Sequence, residues 1–90
     1  MYMLLDILKN DLGITHTKKD TYFLNLLEGR KRELEKKGIV LDINNIEDVI
    51  LICDYTSFCY KNRDEDVELS KNLKLRILNK KMESRANIEN

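Results

Sequence analysis

Ile46-Glu47-Asp48-Val49-Ile50-Leu51-Ile52-Cys53-Asp54-Tyr55-Thr56-Ser57-Phe58-Cys59-Tyr60-Lys61 is the stretch whose reading decides the fold. It is too long for an ordinary strand, holds no glycine or proline, and follows two asparagines suited to capping. It therefore reads as one helix from about Ile46 to Lys61, capped by Asn44 or Asn45. Its apolar residues do not keep to one side. Ile46, Val49, Ile50, Cys53 and Tyr60 form one face, Leu51 and Phe58 a second, and Ile52, Tyr55 and Cys59 a third. A helix that is apolar nearly all round is buried on all sides. This one is expected at the centre of its domain or beneath another subunit, with Asp54 as a candidate buried carboxylate.

Three more helices are expected around it. Leu4, Leu5, Leu8 and Leu12 recur at helical spacing over residues 3 to 12, and Gly13 stands where a left-handed C-terminal residue belongs. A second helix starts near Thr17 as N-cap, with Asp20 in its first turn, and ends at Gly38. Phe23, Leu24, Leu27 and Leu34 make its stripe, with Arg30 and Lys31 inside it. Either the stems of those two cover the core edge while their charges reach water, or that turn meets something other than the core. The connection Ile39-Val40-Leu41-Asp42-Ile43-Asn44 is too apolar for a solvated loop and must pack on its own helices or a neighbour. After an acidic loop over residues 62 to 68, a last helix begins behind Ser70. Its buried side is expected from Leu73, Leu75, Ile77, Leu78 and Met82, although the alternation of Leu73, Leu75 and Ile77 would also suit a short strand. The expected architecture is all-α: a small four-helix domain over residues 1–90, with a mobile C-terminal tail from about residue 79.

Ninety residues with 42% apolar and 36% charged side chains form one small domain, neither disordered nor membrane-spanning. The absence of proline and the three glycines favour helices over an all-β fold. The first residues lack a basic n-region and a cleavage site, so no signal peptide is expected. Sixteen basic and sixteen acidic groups give zero net charge, which counts against a dedicated nucleic-acid binder. The charge is nevertheless banded, with a net of +2 over residues 1–41, −6 over 42–69 and +4 over 70–90. Bands of opposite sign could bring copies of the chain together.

Little chemistry is signalled. Phosphate-cradling, nucleophile-elbow and zinc-helix motifs are absent from the sequence. Cys53 and Cys59 point about 120° apart on a helix and read as two reduced thiols. His16 has no metal-ligand partners at the required spacing. Asp64, Glu65, Asp66 and Glu68 lack EF-hand spacing and read as a solvated or partner-facing loop. No catalytic, cofactor-binding or metal residues are expected. The candidate interface residues are Ile39, Val40, Leu41, Ile43, Asp64, Glu65, Asp66, Arg30, Lys31, Lys80, Lys81 and Arg85.

The order of signals resembles the small head–tail connector (head-completion or adaptor) proteins of long-tailed bacteriophages. The matching pieces are Leu5-Asp6-Ile7-Leu8-Lys9-Asn10-Asp11-Leu12-Gly13-Ile14, then Asp20 opening a helix with Tyr22, Leu24 and Leu27. Gly38 and its short loop follow, then a helix with Tyr55 and Tyr60, and Leu69-Ser70-Lys71-Asn72-Leu73 opening the last helix. The chain departs from that pattern at Arg30 and Lys31, where small residues are usual, and at Ser70, where proline is common. The resemblance implies a non-catalytic ring, generally of twelve copies, beneath the portal of a DNA-filled capsid. Such a ring extends the DNA channel and docks a stopper or tail-completion protein. Genomic DNA passes through without sequence-specific binding. The implied place is the virion neck, assembled in the host cytoplasm, with no membrane involved and with the C-terminal segment reaching the portal. Two other classes remain open from the residues alone: a small helical nucleic-acid-binding regulator and a protein-interaction adaptor.

Overall fold

Helix α1 (Tyr2–Leu12), α2 (Asp20–Lys36), α3 (Ile46–Lys61) and α4 (Lys71–Glu89) make up a computed structural model that describes the backbone of residues 1–89 and the side chains of residues 1–86. The all-α architecture expected from the sequence is what is found, with no strand among the described residues. The alternating run Leu73, Leu75, Ile77 is helical.

α1 ends as its sequence dictates. Gly13 adopts φ 71°, donating its N–H to the Asn10 carbonyl, while the Ile14 N–H returns to Lys9 at 2.9 Å. This pair of bonds closes a Schellman motif and folds Ile14 back over the last turn, against the core. α2 starts later than the expected Thr17 cap. The Thr17 carbonyl accepts the Asp20 N–H in a turn, and the Asp20 carboxylate is taken by Lys9 Nζ at 2.7 Å. α2 thus opens behind Lys19 without a side-chain cap, and its first turn is tied to α1 by this ion pair. Phe23, Leu27 and Leu34 are fully buried along α2. Arg30 and Lys31 lie over the edge of that stripe and reach Glu33 (2.7 Å) and Glu35 (3.1 Å) on their own helix. Their stems cover the core edge while their charges stay outside it.

α3 is central, as its composition requires: α1, α2 and α4 all pack on it. Asn45 caps it by accepting the Glu47 N–H at 3.0 Å. Val49, Leu51, Ile52, Cys53, Tyr55, Thr56 and Ser57 are buried. Ile46 and Ile50, expected on the buried face, are exposed. The N-terminal half of α3 is therefore open on one side. At its other end Tyr60 meets Phe23 and Tyr22 of α2 edge to face, with ring centroids 5.3 Å and 6.4 Å away.

α4 is held differently. Ser70 caps it through the Leu73 N–H, but among its described apolar residues only Leu73 and Ile77 are buried. Leu75, Leu78 and Met82, expected inside, face outward. Burial of two aliphatic side chains contributes about 3–6 kcal/mol, little for a helix this long. The boundary expected near residue 79 falls within α4, which continues as helix to Glu89. Lys80 and Ser84, beyond that boundary, are both bound to other parts of the fold. The end of the expected tail, from residue 87 on, lies outside the described side chains.

Candidate interaction surfaces

The connection between α2 and α3 divides its own residues between inside and outside. Ile39 and Leu41 are buried among the four helices, so as candidate interface residues they are corrected to core. Strand-like alternation sends the intervening Val40 outward, and Ile43 is exposed as well. Two hydrogen bonds tie this connection to α3 and α4, and each is continued by a second contact. The Val40 N–H donates to Ser84 Oγ at 2.9 Å, and that hydroxyl donates to the Lys80 carbonyl. The Asp42 N–H donates to Asp48 Oδ2 at 2.9 Å, and Lys80 Nζ meets Asp48 Oδ1 at 2.8 Å.

Asp48, only 2% exposed, is thus the buried carboxylate among the described residues. The expected one, Asp54, is half-exposed and pairs with Arg76 of α4 at 2.8 Å. Lys80 was expected to face a partner; it is instead turned inward onto Asp48. The hydrogen bond from that carboxylate holds the Lys80 ammonium above its ordinary pKa, against the opposing effect of burial.

The other candidates sit as follows. Arg30 and Lys31 are satisfied by their own helix. Glu33, next to Arg30, also accepts the Tyr55 hydroxyl at 2.8 Å. Burial would push its carboxyl up, but the bonds from Arg30 and Tyr55 prevail and hold it low. Asp64, Glu65 and Asp66 are exposed in the turn after α3 and form no ion pair among the described residues. Behind them Arg63 lies over the Tyr60 ring, 4.1 Å from its centroid. Lys81 and Arg85 are exposed on α4.

Two apolar surfaces were not separated by sequence reasoning. One is Leu75, Leu78 and Met82, on the side of α4 opposite Leu73, Ile77 and Ser84 at 100° per residue. The other is Ile43, Ile46 and Ile50, which adjoins a cleft of about 320 Å³ between α3 and α4 with Glu47 and Glu83 in its walls. A helical wheel of α4 drawn with two apolar arcs would have signalled the first.

Chemical reactivity is subdued. Cys53 is buried and donates weakly to the Leu4 carbonyl at 3.4 Å. Burial pushes its thiol up to about 12, helped by Asp54 and Asp11. Cys59 is raised as well, chiefly by burial. Thiols so placed are poor nucleophiles. Among the described residues no group of three or more histidine, cysteine or acidic side chains is placed to hold a metal ion. No described helix is long and apolar enough to cross a membrane. Compared with protein-family models, curated proteins and solved structures, the chain gives no match.

Proposed function

We propose that the chain is a structural, non-catalytic subunit of the neck of a tailed phage: a head–tail connector that assembles as a ring, of about twelve copies, beneath the portal. The ring would extend the DNA channel and dock a stopper or tail-completion protein. The observation that carries this reading is the apolar surface the folded chain leaves outward. Tyr2, Tyr22, Ile46, Ile50, Leu75 and Met82, drawn from all four helices, remain exposed on a domain of only 90 residues. Such surface suits a subunit that is completed by its neighbours. The family itself comes from the resemblance of the sequence.

The decisive experiment mixes the purified chain with a portal ring taken from the same genome and follows sedimentation and electron microscopy. Co-sedimentation at a fixed ratio, with new density below the portal, is the expected result. A chain that stays at the monomer position with the portal in excess would refute the connector reading. The basic flank of α4 is the one feature favouring a nucleic-acid-binding regulator, and retention on heparin at low salt would support that alternative.

A further inference from the structure

α4 shows two faces. The inner one is described above. The outer one carries Leu75, Leu78 and Met82, spaced i, i+3, i+7 and between 52% and 61% exposed. At 100° per residue, Lys74, Lys81 and Arg85 fall along one flank of this stripe, and Lys71 continues it toward the N-terminus. Lys71, Lys81 and Arg85 form no ion pair among the described residues. The stripe is therefore apolar with a basic border.

The opposite combination occurs elsewhere on the same chain. Ile43, three residues before α3, and Ile46 and Ile50, one turn apart on it, are between 38% and 57% exposed. Asp42 and Glu47 border them and Glu83 stands across the adjoining cleft, whose two cations, Lys80 and Arg76, are already paired with Asp48 and Asp54. Glu47 and Glu83 likewise form no ion pair among the described residues. This patch is apolar with an acidic border.

We infer that the outer stripe of α4 docks on the Ile43–Ile46–Ile50 patch of a second copy of this chain, in a head-to-tail contact. Charge decides the occupant. Two α4 stripes packed on each other would set Lys74, Lys81 and Arg85 against the same basic set, and two acidic patches would repel likewise. Stripe on patch pairs apolar with apolar and basic with acidic. A contact between two different surfaces leaves one of each free on every copy, so it continues from copy to copy until the rotation closes a ring. The inference rests on the reading of the chain as a self-assembling subunit, but it names the surfaces, which that reading does not.

Two variants test it. Leu78→Glu disables the stripe and leaves the patch; Ile50→Lys disables the patch and leaves the stripe. Both positions are exposed, so each variant should keep the wild-type far-ultraviolet spectrum and melting curve. Backbone amide NMR is recorded on labelled I50K at fixed concentration while unlabelled protein is added to millimolar levels. Adding L78E should shift the amides around Leu75, Leu78 and Met82. Adding unlabelled I50K should not. The reverse labelling should shift residues around Ile43, Ile46 and Ile50. Shifts in the mixture of identical variants would point to like-on-like pairing and overturn the inference. Shifts confined to other residues would overturn this contact while leaving self-association in place. An absence of shifts in all mixtures, with broadening of the α4 amides by phosphatidylglycerol vesicles instead, would reassign the stripe to a lipid surface. An absence of shifts under any condition also overturns the contact, and the portal-binding experiment separately decides the connector reading.

Discussion

Replacing Lys80 by Met isolates the internal ion pair of α4. Methionine keeps the length and apolar stem of lysine but removes the charge. Asp48, whose side chain is 3% exposed, then keeps a single donor, the Asp42 N–H. Leaving one partner of a buried pair uncompensated costs about 3–5 kcal/mol, and the surviving backbone bond puts this case at the lower end, about 3 kcal/mol. A domain of this length is stable by roughly 5–13 kcal/mol, so the loss is a large fraction of the whole. It should lower the melting temperature by roughly 12–24 °C. In the double variant Asp48→Asn, Lys80→Met, the amide oxygen can still accept the Asp42 N–H and no charge is buried. Stability should recover by about 2 kcal/mol relative to Lys80→Met alone. Urea unfolding followed by circular dichroism measures both. The pH dependence carries an independent signature. Asp48 raises the Lys80 pKa above its ordinary 10.5, so the folded protein holds that proton more tightly than the unfolded chain does. The stabilisation is complete below about 10.5 and fades as pH climbs through the folded value. The gap between wild type and Lys80→Met should therefore narrow in alkaline buffer. A loss under about 1 kcal/mol for Lys80→Met, or a double variant no more stable than the single one, would refute this account of α4.

Three shorter predictions concern other regions. Gly13→Ala should cost about 1–2 kcal/mol because φ 71° is left-handed, whereas Gly29→Ala, inside α2 with open space around its Cα, should gain about 0.5–1 kcal/mol; thermal melts give both signs. Cys53 should resist iodoacetamide at pH 8 in the native state and react on unfolding, as mass spectrometry of quenched samples will show, since its thiol titrates near 12. Replacing Asp64, Glu65 and Asp66 together by Asn, Gln and Asn should leave the monomer's unfolding free energy within about 0.5 kcal/mol of wild type. If these residues face basic groups of a neighbour or the portal, assembly onto portal should fall at low salt; normal assembly at low and high salt would make the loop a solvated surface only.

The sequence disclosed those features that depend on neighbours along the chain. Gly13 followed by Ile14, Asn45 before Glu47, and Ser70 before Leu73 are local signals, and the folded helices end or begin on them. The crowded apolar composition of α3 left it either the centre of the domain or a place beneath another subunit, and within the fold it is the helix on which the other three pack. What failed to show were choices made by distant partners. The expected Thr17 cap is displaced: Thr17 closes a turn onto the Asp20 N–H, and Asp20 is held from α1 by Lys9, eleven residues earlier. On α4 both arcs carry leucine or isoleucine, so periodicity cannot say which one the core accepts. Ser84 and Lys80 turn the inner arc inward because Val40 and Asp48 wait for them there, and both lie more than thirty residues away. The candidate interface suffered from the same blindness. Ile39 and Leu41 were indistinguishable from Val40 and Ile43 in composition, and only the fold sorts them into core and surface.

Lys80 and Ser84 stand one helical turn apart and each is gripped by a directional bond. Greasy contacts tolerate sliding; these two bonds act as detents. Moving α4 along its groove by one residue means about 1.5 Å of travel and about 100° of rotation, and both bonds would be lost. The bearing of the outer stripe is thereby set to within a small angle relative to the patch at the start of α3. In the proposed ring of about twelve copies, each contact turns the chain by about 30°. A systematic error of about 3° per contact would accumulate to more than one subunit's share of the circle. Loosening the grip on α4 should then show first as a spread of ring sizes or as open spirals, before any loss of affinity between neighbouring copies.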